Sequence, residues 1–367
     1  MFKRYKLKDV DIKLIGMVVA LTFIGILLIG SAAKSKQLMQ IVGLFLGLVA
    51  MAVIALIDYN FILQFYWVIY GVNIALLLMV KVIGSTTGGA QRWVSIAGIR
   101  FQPSELSKIL LILFFAKILS KYEEVLSTWK TLAVMLVLAV VPLYLIKSQP
   151  DLSTTIVCAV VICVLIYMAG LNRKIIFRIL AVAIPAGVAS IVVIINYGKA
   201  FLTDYQYKRI MAWINPSQYA DAAYQQNNSI MAIGSGQLIG KGLNNNVISS
   251  VKNGNFISEP QTDFIFAVSG EELGFIGSVI IIVLLLLIAL ECIKIGQKAK
   301  DLQGKLICCG MGMLIGFQSF VNICVATGLM PNTGLPLPFV SYGVTSLATL
   351  YMGIGFVLNV ALQQRKY

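Results

Sequence analysis

The sequence predicts an all-α polytopic membrane protein of about ten transmembrane helices, with cytoplasmic N and C termini and one large extracytoplasmic loop. Three observations carry that expectation. The 367 residues are 59% hydrophobic and only 12% charged, with a mean hydropathy of +0.89, whereas soluble domains run about 45–50% apolar and about 25% charged. The apolar residues fall into runs of about 20, the length that crosses a bilayer as a helix. The basic residues are shared unevenly between the connections, which orients the spans. One bundle with short connections uses the whole length, so residues 1–367 read as a single membrane domain.

The spans fall at about 13–31, 37–57, 63–83, 104–120, 131–147, 153–170, 174–196, 263–292, 304–328 and 341–362. The fourth is short and carries Glu105 and Lys108. The first run has the look of a signal peptide, with Ser31-Ala-Ala33 where a cleavage site would lie. Nine further spans follow it, so it reads as an uncleaved helix.

With the N-terminus inside, the cytoplasmic segments hold Lys3, Arg4, Lys6, Lys8, Lys13, Lys117, Lys121, Lys130, Arg173, Lys174, Arg178, Lys294, Lys298, Lys300, Lys305, Arg365 and Lys366. That is more than half of the 29 basic residues. Anchoring to anionic membrane lipids accounts for these charges, and the net charge of +14 then calls for no nucleic acid. Histidine is absent, which removes Ser-His-Asp chemistry and any His-ligated metal. The six cysteines sit in or beside apolar runs without a paired spacing and read as small buried hydrophobes.

Polar and irregular sequence gathers on the side expected to face outward. It comprises Gly84–Phe101, the turn with Lys147-Ser-Gln-Pro-Asp151, the long loop at about 197–262, and the Pro- and Gly-rich stretch Thr327–Gly343. Irregular backbone at membrane depth is tolerated only where protein or a water-filled cavity covers it. The long loop contains Gly234-Ser-Gly-Gln-Leu-Ile-Gly-Lys-Gly242. Its spacing does not fit a nucleotide phosphate loop; backbone N–H concavities for an anion and an amphipathic hairpin lying on the membrane are the two readings left open. The pairs Gly43/Gly47 and Gly312/Gly316 have the spacing of close helix packing.

Carboxylates at the mouth of a membrane helix are expensive and mark function. Asp263 stands where the long loop meets the eighth span, as a catalytic group, a helix N-cap, or both. A helix N-terminus there would tend to hold it ionised. Glu271 and Glu272 follow eight and nine residues on, about 12 Å deeper at 1.5 Å per residue, and read as supporting groups. Glu105 and Lys108 share a helix face. They form either a structural ion pair, or a site near the outer interface in which Lys108 holds an anionic headgroup and Glu105 orients it.

Six motifs in order resemble the SEDS family (shape, elongation, division and sporulation). They are Gly89-Ala-Gln-Arg-Trp93, Gln102-Pro-Ser-Glu-Leu-Ser-Lys108, Gln149-Pro-Asp-Leu152, Ala232-Ile-Gly-Ser-Gly236 with Gly240-Lys-Gly242, Thr262-Asp-Phe-Ile-Phe-Ala-Val268 with Glu271-Glu-Leu-Gly274, and Thr333-Gly-Leu-Pro-Leu-Pro-Phe-Val-Ser-Tyr-Gly343. The first and last look more like the elongation (RodA) branch than the division (FtsW) branch, with a sporulation paralogue a further option. Ile257-Ser-Glu-Pro-Gln-Thr-Asp-Phe264 departs from the family pattern by lacking its histidine, and Tyr342-Gly-Val344 lacks its second glycine.

The resemblance implies a peptidoglycan glycosyltransferase of the bacterial cytoplasmic membrane, active on the extracytoplasmic face. It would transfer an undecaprenyl-linked glycan strand onto lipid II and release undecaprenyl pyrophosphate, with a class B penicillin-binding transpeptidase as partner. It implies catalysis by Asp263. Lys108, Glu105, Arg209, Lys208, Arg92 and Gln102 are the candidates for holding substrate and pyrophosphate, and Glu259, Thr262, Asp151, Glu271, Glu272 and Ser341 are supporting candidates. A divalent metal (Mg or Mn) is a family trait for which no ligand set can be read here. The competing readings are a flippase or transporter of a lipid-linked precursor, and a non-catalytic scaffold for the transpeptidase.

Overall fold

A computed structural model of the chain describes residues 10–87, 90–96, 99–178, 204–244 and 256–364, with single positions 181, 185, 189, 198, 250 and 254. The expected span at about 174–196 lies mostly outside these residues, as do Gly88, Gly89 and the basic residues at both chain ends. The other nine expected spans coincide with helices.

These are α1 (Ile12–Ala32), α2 (Lys34–Leu56), α4 (Tyr66–Ile83), α5 (Pro103–Lys121), α6 (Trp129–Lys147), α7 (Leu152–Met168), α10 (Ile265–Gln297), α11 (Leu302–Ala326) and α12 (Val344–Leu362), with a short α3 (Tyr59–Gln64) before α4. Among the described residues, seven helices are long and apolar enough to cross a membrane. The long loop contributes α8 (Asp204–Ile214) and α9 (Ala220–Ser235). A small antiparallel sheet that the hydropathy pattern does not announce, β1 (Ser85–Thr87), β2 (Ala90–Ile96) and β3 (Ile99–Phe101), occupies the connection before α5.

Helix starts follow local chemistry. Asp11, Asp58, Thr128, Asp151 and Asp301 cap α1, α3, α6, α7 and α11 through side-chain oxygens, and Pro103 begins α5, where its missing N–H costs nothing. α5 is buried along nearly its whole length, with Phe114 and Phe115 fully enclosed. That burial explains how a short helix bearing Glu105 and Lys108 belongs to the bundle. Gly43 and Gly47 lie against Val344 and Tyr351 of α12, and Gly312 against Ala289 and Cys292 of α10. The small-residue spacings therefore do mark close helix contacts. Five cysteines are buried as expected; Cys163 is exposed on α7.

α10 departs from the expected straight helix. Gly274 has φ +66 and ψ −163, a region open essentially to glycine alone. The Ser269 and Ser278 hydroxyls lie 3.3 Å apart, whereas nine residues of straight helix would separate them by about 13.5 Å. The chain folds back at Gly274 into a short arm, residues 265–273, and a long arm, 275–297.

α1 supplies the scale. Lys13 meets Glu291 at 2.8 Å near one end, and Ser31 donates to Glu272 near the other. The 18 residues of unbroken α1 from Lys13 to Ser31 rise about 27 Å, close to one hydrocarbon thickness. The expected depths are therefore reversed. Glu271 and Glu272 sit at the Ser31 end of the span, and Asp263, at the start of the short arm, lies deeper in the bundle.

The break frees backbone groups that a bilayer cannot satisfy. The turn after α9 satisfies them. Phe275 N and Ile276 N donate to Gln237 O and Leu238 O at 2.9 and 3.1 Å, and Lys241 N and Gly242 N donate to Glu271 O and Glu272 O at 2.9 and 3.0 Å. The Lys241 ammonium adds a 3.0 Å contact to Glu271. The segment Gly234–Gly242 thus serves as the plug of a helix break.

Substituting Gly274→Ala should destabilise the fold by roughly 1–3 kcal/mol from backbone strain alone, and more from a Cβ placed 2.2 Å from Gly240 N. Gly71→Ala, in open space on α4, should be neutral or stabilising by about 0.5–1 kcal/mol. Unfolding of both variants in detergent checks the contrast.

Candidate active site

Asp263 lies between two irregular segments that are bonded to each other. In the first, Glu259 adopts φ +57, and Thr262 turns back on it, N and Oγ1 donating to Glu259 O at 3.1 and 2.8 Å. The Glu259 carboxylate is held by Lys36 at 2.7 Å and Gln261 at 2.6 Å. In the second, Ser341 Oγ accepts from Leu337 N and donates to Thr262 O, while Tyr342 N donates to Gln261 O. Gln40 of α2 closes the join, donating to Ser341 O at 3.2 Å and accepting from Gly343 N at 3.1 Å.

Polar side chains on α11 fix both segments from behind. The Asn322 amide donates to Asp263 O at 2.8 Å and Leu335 O at 2.6 Å. One turn earlier, Gln318 donates to Pro336 O and accepts from Lys108. Neither residue, nor Gln40, was singled out in the sequence. The available signal was the placement of Gln318 and Asn322 four apart on one face of an apolar span.

The Asp263 side chain is half-buried and accepts no hydrogen bond from the described residues. The residue that caps the short arm is Phe264, with no side-chain cap bond, so Asp263 is not serving as a cap. Gly334 has φ +70, and a Cβ there would fall 3.3 Å from Asp263 Oδ2 and 3.5 Å from an Arg209 guanidinium nitrogen. Carboxylate and guanidinium therefore lie within about 7 Å across this glycine, with Arg209 also donating to Asn332 O.

Arg92 donates to Gln149 O and Pro150 O and lies 3.9 Å from Asp151. Asp151 caps α7 through one oxygen and receives Gln102 and Ser104 on the other. Ser153 donates to Thr333 O, which ties this turn to the Gly334 segment. Burial pushes the Asp263 carboxyl above the ordinary aspartate value. Arg209 and then Arg92 pull against this, while Asp151 and Glu259 add to it. Desolvation is the largest of these influences.

Several expected residues fall elsewhere. Lys108 and Glu105 are buried inside the bundle, paired at 2.8 Å. Lys108 also meets Gln318 at 2.7 Å, and Glu105 receives Ser346 at 2.7 Å. Lys108 therefore does not stand at the outer interface to hold a headgroup; it ties α5 to α11, one turn below Asn322, while Glu105 ties α5 to α12. Lys208 is exposed and pairs with Asp204 at 2.7 Å, so the structure does not bring it to Asp263. Glu271 and Glu272 support the helix break. Among the described residues no three Asp, Glu, Cys or His side chains converge on a metal position. Asp151 and Glu259 are engaged as described, so the divalent-metal expectation finds no ligand set here.

The profile of the FtsW/RodA/SpoVE family, described as "Cell cycle protein", matches residues 10–366. A probable peptidoglycan glycosyltransferase FtsW from Geobacter sulfurreducens is 34% identical over 96% of this chain and 95% of its own length. The peptidoglycan glycosyltransferase MrdB of Escherichia coli K12 is 34% identical over 86% of this chain and 82% of its own. Among solved structures, a chain from a peptidoglycan synthase complex that coordinates polymerization and crosslinking is similar with TM-score 0.79 and 28% identity, covering 96% of this chain and 97% of that one. The rod shape determining protein RodA of Thermus thermophilus follows with TM-score 0.70 and 27% identity, covering 98% of each chain.

Breaking the buried pair by Lys108→Met should cost about 3–5 kcal/mol, because Glu105 is left uncompensated. The double variant Lys108→Met with Glu105→Leu should recover part of that loss. Unfolding of the single and double variants distinguishes a tie between helices from a substrate-binding charge.

Proposed function

The chain belongs to the FtsW, RodA and SpoVE family of cell cycle proteins, and we propose that it polymerises lipid II during cell-wall elongation. Its activity is that of a peptidoglycan glycosyltransferase, in a multi-pass membrane protein. Lipid II as the incoming substrate, an undecaprenyl-linked strand as the donor, and a class B penicillin-binding transpeptidase as the partner belong to this reading. So does an Asp263 end that faces away from the cytoplasm in a bacterial cytoplasmic membrane. The uneven distribution of basic residues supports that orientation.

The observation that carries the reading is Asp263 itself. It is a carboxylate set deep in the bundle with its oxygens uncommitted, its backbone clamped by Asn322, and two arginines close by. Glycosyl transfer needs a proton acceptor and a counter-charge for the leaving group. The 4-hydroxyl of the incoming sugar attacks the anomeric carbon of the donor strand and gives its proton to Asp263. The bond from that carbon to phosphate oxygen breaks, and undecaprenyl pyrophosphate leaves with the electron pair. Arg209 and Arg92 supply positive charge on that side, and an Arg fork suits phosphate oxygens. A raised carboxyl pKa makes Asp263 a stronger base than a solvated aspartate. The transporter reading is less well supported, because Lys108 and Glu105 are closed on each other rather than lining a path.

Asp263→Asn should lower lipid II polymerisation by the purified protein at least about 100-fold; a normal rate would exclude the carboxylate as base. Asp263 works only when ionised, so the rate rises with pH through its raised pKa, and the acid limb of kcat/KM lies above the ordinary aspartate range. Arg209→Gln removes the largest opposing influence and should move that limb to higher pH while slowing the reaction. Asp151→Asn retains a capping residue, removes a repelling charge, and should move the limb to lower pH.

A further inference from the structure

At the Ser31 end of the span, four exposed apolar side chains form one patch. Leu238 and Ile239, at the tip of the turn after α9, are 60% and 77% exposed, and Phe275 and Ile276, which open the long arm of α10, are 64% and 47% exposed. Turn and helix are joined main chain to main chain through Phe275 and Ile276, so the four side chains are neighbours. The patch runs on into Ile280, Val283, Leu287 and Leu290, all exposed on the same helix. In a multi-pass protein that stripe is the face that hydrocarbon covers. Nothing in the active site uses the tip, since Asp263 lies at the opposite end of the short arm.

We propose that Leu238 and Ile239 dip into the bilayer, so that the lipid surface itself is the binding partner of this turn. Continuity argues for lipid over protein. Main-chain hydrogen bonds fix the tip at the end of a lipid-facing stripe, where Glu272 and Ser31 mark the end of the span. Interfacial segments bury an apolar tip by about 5–10 Å and keep polar flanks in the headgroup layer. Here Gln237 and Lys241 flank the two apolar residues, and the Lys241 ammonium is held on Glu271. The same turn plugs the break at Gly274, so bilayer contact steadies the outer end of the arm that carries Asp263. The proposal rests on membrane placement alone, not on glycosyl transfer.

The test uses the full-length protein with Cys163→Ser, which removes the exposed cysteine and leaves five buried ones. A nitroxide is placed at Ile239→Cys, and the protein is reconstituted into phosphatidylethanolamine and phosphatidylglycerol vesicles. Collision with oxygen, which concentrates in hydrocarbon, is compared with collision with a water-soluble nickel chelate. Labels at Val283→Cys, in the stripe, and Ser217→Cys, in the connection between α8 and α9, set the two references. The Ile239 label should show an oxygen-to-nickel ratio several-fold above the Ser217 label and approaching the Val283 label. A ratio equal to that of Ser217 would place the turn in water and overturn the proposal. Shielding from both reagents would overturn it in favour of contact with a second copy of the chain. Leu238→Cys provides the same reading if the Ile239 variant does not reconstitute.

Discussion

The fold-back of α10 at Gly274 is the constraint on which the Asp263 half of this molecule depends. A bilayer offers no water to an interrupted helix, and every freed N–H and C=O must find a partner in the protein. Here four such groups are met by one turn, Gln237–Gly242, which reaches them because α9 lies alongside. The reversal sends a short arm inward, so a charged residue that follows a long polar loop ends well below the edge of the span. A continuous helix from the same start would leave Asp263 at the surface, beside water, with an ordinary carboxyl.

Depth then determines the electrostatics. Burial raises the carboxyl of Asp263, and the two arginines only partly offset this. The proposed mechanism asks for positive charge close enough to stabilise a pyrophosphate, yet far enough to leave the Asp263 carboxylate able to take a proton. Gly334 performs that spacing. It sits between Asp263 and Arg209, and its φ of +70 is a conformation that side chains rarely adopt. Carboxylate and guanidinium lie within about 7 Å of each other without forming an ion pair among the described residues. Elsewhere the bundle does the opposite. It brings Lys108 and Glu105 into contact and seals them, so that two charges close to the site contribute architecture.

Much of this was legible in the sequence, and the failures share a cause. Hydropathy located nine helices, and the ordered motifs pointed to the family that the comparisons show. Asp263, Arg92, Arg209, Asp151, Thr262, Glu259 and Ser341 do gather in one place. The expected depth fails because rise per residue holds only along a straight helix, and α10 breaks at Gly274. A single glycine with φ above zero looks no different in sequence from Gly277 or Gly296. Gln318 and Asn322 were passed over because a lone amide in an apolar run has many bland explanations; only the carbonyls it meets, Pro336 O, Leu335 O and Asp263 O, reveal its part. The charge of Lys108 suggests the interface, whereas its partner Gln318 on α11, and Ser346 of α12 that donates to Glu105, lie more than 200 residues away and no local pattern encodes them.

The spacing of Glu105 and Lys108 bears on how the protein is made. The two charges lie three residues apart on one helix, so they neutralise each other as soon as α5 forms, before Gln318 or Ser346 has been synthesised. The pair can enter the membrane as a neutral unit, at a lower insertion cost than two separate charges would carry. Its remaining hydrogen-bonding capacity waits for α11 and α12. α11 and α12, made after α5, lock the pair in place, and through Gln318 and Asn322 α11 also holds the Asp263 segment.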